Sequence, residues 1–212
     1  MSFTIVAALI VFLVFIYVDA RRRTAQHLQC IAEEKSSVAT ASGMTASVGV
    51  FYPDVRTAVV MGASEDTGAC YYRVLREGKV INRSKINLAN IVRVDLLLNG
   101  SPRDLPLESQ QATSFLKATE IAGKGISTFS TAELRALQKA ALRLVFVDGN
   151  GAEKMLEITV LRMGDERHRF KRLELLKDGI WWYAFLNSAA RNARLWHDEH
   201  ELAEHDGNIG QE

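Results

Sequence analysis

Cysteine and proline are scarce in this 212-residue chain, with two and three copies, and no charged residue precedes Asp19. Cys30 and Cys70 are too few for the disulfide framework of a small secreted domain, so two reduced thiols in a cytosolic body are expected. Three prolines beside 24% charged residues exclude collagen-like, proline-rich and low-complexity chains. A net charge of +1 argues against a globally nucleic-acid-binding surface.

Complete catalytic motifs are missing as well. A zincin needs His-Glu-x-x-His, with two imidazoles one helical turn apart on one ion. After His200-Glu201 the position for the second histidine is Glu204, and His205 comes one residue late. Gly123-Lys124-Gly125-Ile126-Ser127-Thr128 holds the ingredients of a phosphate loop, but Gly125 stands where Ser or Thr must follow the lysine to reach Mg²⁺. No metal, cofactor or catalytic residue is assigned from the sequence. His27 and Cys30 lie one helical turn apart, and two side chains do not make a metal site.

What is present is concentrated at the start. Seventeen of the first twenty residues are hydrophobic, and Arg21, Arg22 and Arg23 follow directly. As a helix this segment is about 30 Å long, the thickness of a hydrocarbon core. Val18-Asp19-Ala20 loosely resembles a signal-peptidase site. A cleaved signal, however, carries its positive charge ahead of the apolar run rather than behind it. The expectation is a retained single-pass anchor in the cell (inner) membrane. The positive-inside rule then leaves the N-terminus outside and the body in the cytoplasm.

The rest divides into a juxtamembrane helix and flexible tether over 21–49, a β-rich domain over 50–204 and a polar tail over 205–212. Arg56–Ala63, Ala69–Arg76, Val80–Leu88 and Ile91–Leu98 are β-branched or aromatic runs bounded by turn residues. Asn99-Gly100 is a strong turn, and Ser101–Leu107 is expected to be a loop. Gln110–Ala122 is a short helix candidate with Ala112, Phe115, Leu116 and Thr119 on one face. Ser130 and Glu133 form a capping box before a second. Leu142–Val147 and Met155–Leu161 make the clearest hairpin, through Asp148-Gly149-Asn150-Gly151. Beyond Gly179 the recurrence of Trp182, Phe185, Ala189, Ala193 and Trp196 at steps of three or four predicts an amphipathic helix.

The apolar positions Tyr71, Val74, Ile81, Ile86, Leu88, Ile91 and Val94, the Leu142–Leu161 hairpin and the helix holding Phe185, Ala189 and Trp196 carry a resemblance. In these, over roughly residues 55–203, the chain resembles bacterial membrane-anchored proteins with a pleckstrin-homology-like (PH-like) domain. The resemblance implies an α+β fold: a small antiparallel β barrel or sheet closed by a C-terminal amphipathic helix. It also implies binding of lipid headgroups, peptides or partner proteins rather than catalysis.

Candidate contacts follow from charge and aromaticity. Arg21, Arg22 and Arg23 would meet an anionic leaflet, and Arg167, Arg169, Lys171 and Arg172 form a second basic cluster suited to anionic lipid or an acidic partner. Trp181, Trp182, Tyr183 and Phe185 cannot all face one core from a helix. Trp182 and Phe185 fit the apolar stripe, which leaves Trp181 or Tyr183 as a partner-binding aromatic. The leading expectation is a membrane-tethered interaction module. It would act as an adaptor or assembly subunit of a membrane complex, with the bilayer and a membrane-associated protein as partners. Self-association through the N-terminal helix would fit the same reading. The alternatives are a membrane-bound hydrolase with a dispersed active site and a membrane-anchored nucleic-acid-binding protein using the Arg162–Arg172 cluster.

Overall fold

The computed structural model describes residues 3–43, 46–54, 56–108, 113–164 and 171–207, with side chains left out at 3–5, 7–8 and 197–207. Helix α1 (Phe3–Ser42) is continuous for 40 residues, about 60 Å at 1.5 Å per residue. No proline or glycine interrupts it, and the chain leaves it at Gly43. Residues 36–42, expected to belong to a flexible tether, are its last two turns. Their small side chains let the helix lie close to the body, with Val38 and Ser42 fully buried.

Two four-stranded antiparallel sheets follow. The first has the order β1 (Ser47–Phe51), β2 (Thr57–Ser64), β3 (Ala69–Arg76), β4 (Lys79–Asn87). In the second, β5 (Ile91–Leu98) lies between β6 (Ser101–Arg103) and β7 (Lys139–Val147), and β8 (Glu153–Arg162) pairs with β7. Asn99 and Gly100 both take positive φ, 51° and 88°, the backbone a tight turn into β6 requires. Part of the expected 101–107 loop is therefore strand. Asn99 Oδ1 also accepts the Gln138 and Lys139 amides at 2.7 and 3.0 Å, which fixes the start of β7.

The period-two pattern of the first sheet serves two cores. Val59, Met61, Ala63, Cys70, Tyr72 and Ile86 point between the sheets, into the main cluster completed by Leu96, Leu142, Leu144, Ile158 and helix α4 (Arg172–Gly207). Their neighbours Ala58, Val60 and Leu75 point the other way, onto Ile31 and Val38 of α1. Buried on both faces, β2 consists almost wholly of apolar and small residues. Helix α2 (Ser114–Gly125) packs on α4 through Ala118, Ile121 and Ala122, and its Phe115 and Leu116 are exposed. Its buried face is therefore not the expected one. The short helix α3 (Thr131–Ala136) has the expected capping box, with Ser130 Oγ accepting from the Glu133 amide at 3.1 Å and Glu133 Oε2 accepting from the Ser130 amide at 2.8 Å.

Two expectations are corrected. The sheets remain separate four-stranded sheets, so no barrel closes. The β1 and β8 edges are not laddered together. The single-pass inner-membrane anchor, with its N-terminus outside and its body in the cytoplasm, is overturned too. Among the described residues, no helix is long and apolar enough to cross a membrane. Asp19 and the Arg21–Arg23 triplet end the apolar run of α1. A spanning helix needs about 20 predominantly apolar residues. The transmembrane and single-pass descriptions fall with it.

Candidate functional site

A concavity of about 650 Å³ lies where three distant segments meet. One wall is the β2–β3 turn, Glu65–Gly68. A second is the 3-10 turn at Leu88–Asn90, capped by Asn87, whose Oδ1 accepts the Ala89 amide at 3.0 Å. The Leu88 amide donates to the Gly68 carbonyl at 2.9 Å, so the two turns form one rim. The third wall is α4 from Ala189 to Trp196, where Ala189 and Ala193 keep the floor low and Trp196, 62% exposed, stands at the mouth.

A polar junction holds the site together. Glu65 Oε1 accepts from Ser114 Oγ at 2.6 Å and from Asn192 Nδ2 at 2.9 Å, and the same amide reaches Ser114 Oγ at 3.1 Å. Turn, α2 and α4 are thereby tied at one carboxylate. Ser114 is completely buried, so its hydroxyl is a post in this junction rather than a nucleophile open to a substrate. The lining carries the Glu65 and Asp66 carboxylates, the Asn87 and Asn192 amides and the Trp196 ring, with no cationic side chain among the described lining residues. Carboxylates beside an exposed indole suit a basic or hydrogen-bond-donating group.

A second polar junction fixes α1. Glu34, 8% exposed, sits under the helix with Arg73 Nε 3.5 Å from its Oε2 and the Arg83 guanidinium on its Oε1. Nearby, His27 Nδ1 accepts the Gly78 amide at 2.9 Å. The helix also descends onto Gly62, where an added Cβ would meet Val38 Cγ1 at 2.4 Å.

The residues singled out from the sequence are dispersed. Arg21, Arg22 and Arg23 are exposed on α1, Arg21 over the Tyr17 ring at 5.2 Å and Arg23 paired with Asp19 at 2.7 Å. Arg167 and Arg169 lie outside the described residues. Lys171 is exposed. Arg172 is half-buried and donates to the Leu134 carbonyl and to Met163 Sδ, both at 2.8 Å, which ties the start of α4 to the end of α3. Trp181 stacks on Phe185 at 5.0 Å and donates Nε1–H to Thr119 Oγ1 at 3.2 Å. Tyr183 is buried, and burial pushes its phenol above its ordinary value against the opposing bond to Leu105. The side chains of His197, His200, Glu201, Glu204 and His205 lie outside the described residues. Among the described residues no group of three or more metal-ligating side chains assembles.

The Glu65–Ser114–Asn192 junction was not reached from the sequence. Glu65 and Ser114 are 49 positions apart, and Glu65 and Asn192 are 127 apart. The SEDTG turn and the alanine stripe before Trp196 are its only local traces. No protein-family model matches this chain, no curated protein matches it, and no solved structure matches it.

Proposed function

We propose that the protein is an interaction module, an adaptor or assembly subunit that presents an apolar helical arm to a protein partner. The observation carrying this reading is the first half of α1. Val6 and every residue from Leu9 to Val18 leave 47–69% of their surface bare, on all sides of the helix. A helix apolar all round requires an apolar environment all round, and monomeric proteins rarely display so large a continuous patch. The second half of the same helix is clamped by Glu34 and Val38, so the arm is held rigidly to the body.

Arg21–Arg23 at the base of the arm favour a second contact, with an anionic surface. Each basic group close to an anionic leaflet adds about 1 kcal/mol. The PH-like resemblance points the same way, toward binding rather than turnover.

The test uses the full chain and a Leu9→Glu/Leu13→Glu variant, followed by sedimentation and by cross-linking in the native cell. The wild type should form a stoichiometric protein assembly that the variant loses. A wild type that stays monomeric and uncross-linked overturns the reading. Flotation with phosphatidylserine vesicles, weakened by salt and by Arg21–Arg23→Ala, would give the anionic contact to lipid instead.

A further inference from the structure

The two sheets have four edges, and three of them are defended. The β4 edge carries Lys79, Arg83 and Lys85 and a register shift opposite Val74/Leu75. β6 is three residues long and contains Pro102. β8 carries Glu153, Lys154, Glu157 and Arg162. Short length, proline, bulges and charge are how proteins keep an edge from pairing with another chain. β1, Ser47-Val48-Gly49-Val50-Phe51, has none of these. It pairs with β2 in unbroken register over all five residues and with no other strand.

Beside this edge runs a groove of about 350 Å³, walled by β1 and Val160 of β8 on the strand side and by Phe115, Trp181, Trp182 and Asp178 on the helix side. Gly49 is what lets the groove wall close up. A Cβ there would fall 2.8 Å from Trp182 Nε1, so the strand backbone and the indole are in direct contact. Phe115 packs edge-on against Trp181 at 5.5 Å and stays 52% exposed, leaving an aromatic ledge at the groove. Asp178 lines the groove, Glu174 lies one helical turn before it on α4, and among the described residues neither is in an ion pair. Burial, then Glu174, pushes the Asp178 carboxyl above its ordinary value, with Lys177 opposing weakly. A cation placed beside the two carboxylates would relieve their mutual repulsion.

We propose that the β1 edge is a strand-addition site for an extended peptide segment of a partner, apolar at alternate positions and bearing a basic residue opposite Asp178. The peptide backbone bonds to the free side of β1, about 17 Å long. One set of its side chains rests on Phe115 and Trp181, and the basic residue meets the Glu174–Asp178 pair. In strand addition the main chain supplies affinity and the alternating pockets supply selectivity. The site is separate from the apolar arm, so it stands or falls independently of the reading above.

A displayed library of random peptides selected on the full chain supplies the probe, and the enriched sequences are then made synthetically. Enriched peptides should alternate apolar residues around a lysine or arginine and should protect the β1 amides from hydrogen exchange. N-methylation at alternate positions of one parity should weaken binding by about tenfold per lost hydrogen bond, and the other parity should be tolerated. Asp178→Asn removes a carboxylate crowded by Glu174, so it should not lower thermal melting and should weaken basic peptides several-fold. Failure to enrich any peptide, tolerance of N-methylation at both parities, or protection elsewhere than β1 overturns the proposal.

Discussion

Along α1, the residues from Leu9 to Val18 leave their apolar side chains bare, whereas from Ile31 onward burial falls on Ile31, Glu34, Val38 and Ser42 alone. That second set is spaced three and four apart, the single stripe of a helix that has found its neighbour. The first set has no stripe, because no part of the described body reaches it. A stripe with a buried carboxylate in it records a partner within the chain, and unbroken apolarity records one outside it. The two halves therefore differ in what removing a side chain does. In the second half a substitution changes folding stability. In the first, a substitution such as Leu13→Ser leaves the body's stability within about 0.5 kcal/mol and changes association only.

The largest effect in this comparison belongs to Glu34. Its carboxylate faces Arg73, whose side chain is 14% exposed, and Arg83. Glu34→Ala strands the Arg73 charge, and urea unfolding should show a loss of about 3 kcal/mol. The lower end of the range for a broken buried pair applies, since Arg73 also donates to the Tyr72 and Ser84 carbonyls at 3.1 and 3.2 Å. An unchanged midpoint would mean that the helix is held by its apolar contacts alone. Gly62→Ala comes next. Its methyl would overlap Val38 Cγ1 and crowd Ser42 Oγ, 2.9 Å away, neither of which can leave without lifting the helix. Overpacking of this kind costs about 2 kcal/mol. Proteolysis of α1 in the variant should begin at Lys35 while the sheets remain intact.

How far these features are visible in sequence depends on how local their causes are. The strands Ala69–Arg76 and Ile91–Leu98, the Asp148–Gly151 hairpin and the Ser130–Glu133 capping box are set by neighbours a few residues away, and each is readable. β1 is hidden because two of its three inward positions, Ser47 and Gly49, are small. Gly49 makes room for Trp182, and only Phe51 at the strand's end brings a large side chain to the core, so Ser47-Val-Gly-Val looks like tether. The end of α1 is hidden for the same reason, since Ser-, Ala- and Thr-rich turns fit against Gly62 but carry no apolar signal of their own. The fit of Trp182 and Phe185 to the buried stripe is legible from helical spacing, and both are buried. Tyr183 is buried as well because α4 has neighbours on more than one side, which spacing alone does not show. The Glu34–Arg73 clamp and the Glu65–Ser114–Asn192 junction join positions far apart in the chain, and no window of sequence contains both ends. The transmembrane expectation rested on the local apolar run, yet among the described residues no helix is long and apolar enough to cross a membrane.

The smallest effect separates the two cores by their own cysteines. Cys30 packs on the small cluster under α1, and Cys70 lies in the main cluster between the sheets. Burial pushes the Cys70 thiol up to about 12. Burial, then Glu34 and Glu33, raises Cys30 as well, against Arg83. The thiolate is the form that reacts with a disulfide reagent, so a raised pKa lowers the reactive fraction at neutral pH. Labelling of Cys30 should keep accelerating with pH beyond the ordinary thiol value of about 8.5, where an unshifted thiol levels off. Cys70 should label only when the whole body opens, at a rate matching global unfolding. Under Gly62→Ala the Cys30 rate should rise well before the Cys70 rate does, because lifting α1 uncovers one core and leaves the other sealed. Equal acceleration of the two thiols would show that helix and sheets open as a single unit, and the contrast between the halves of α1 would then end at exposure, without extending to cooperativity.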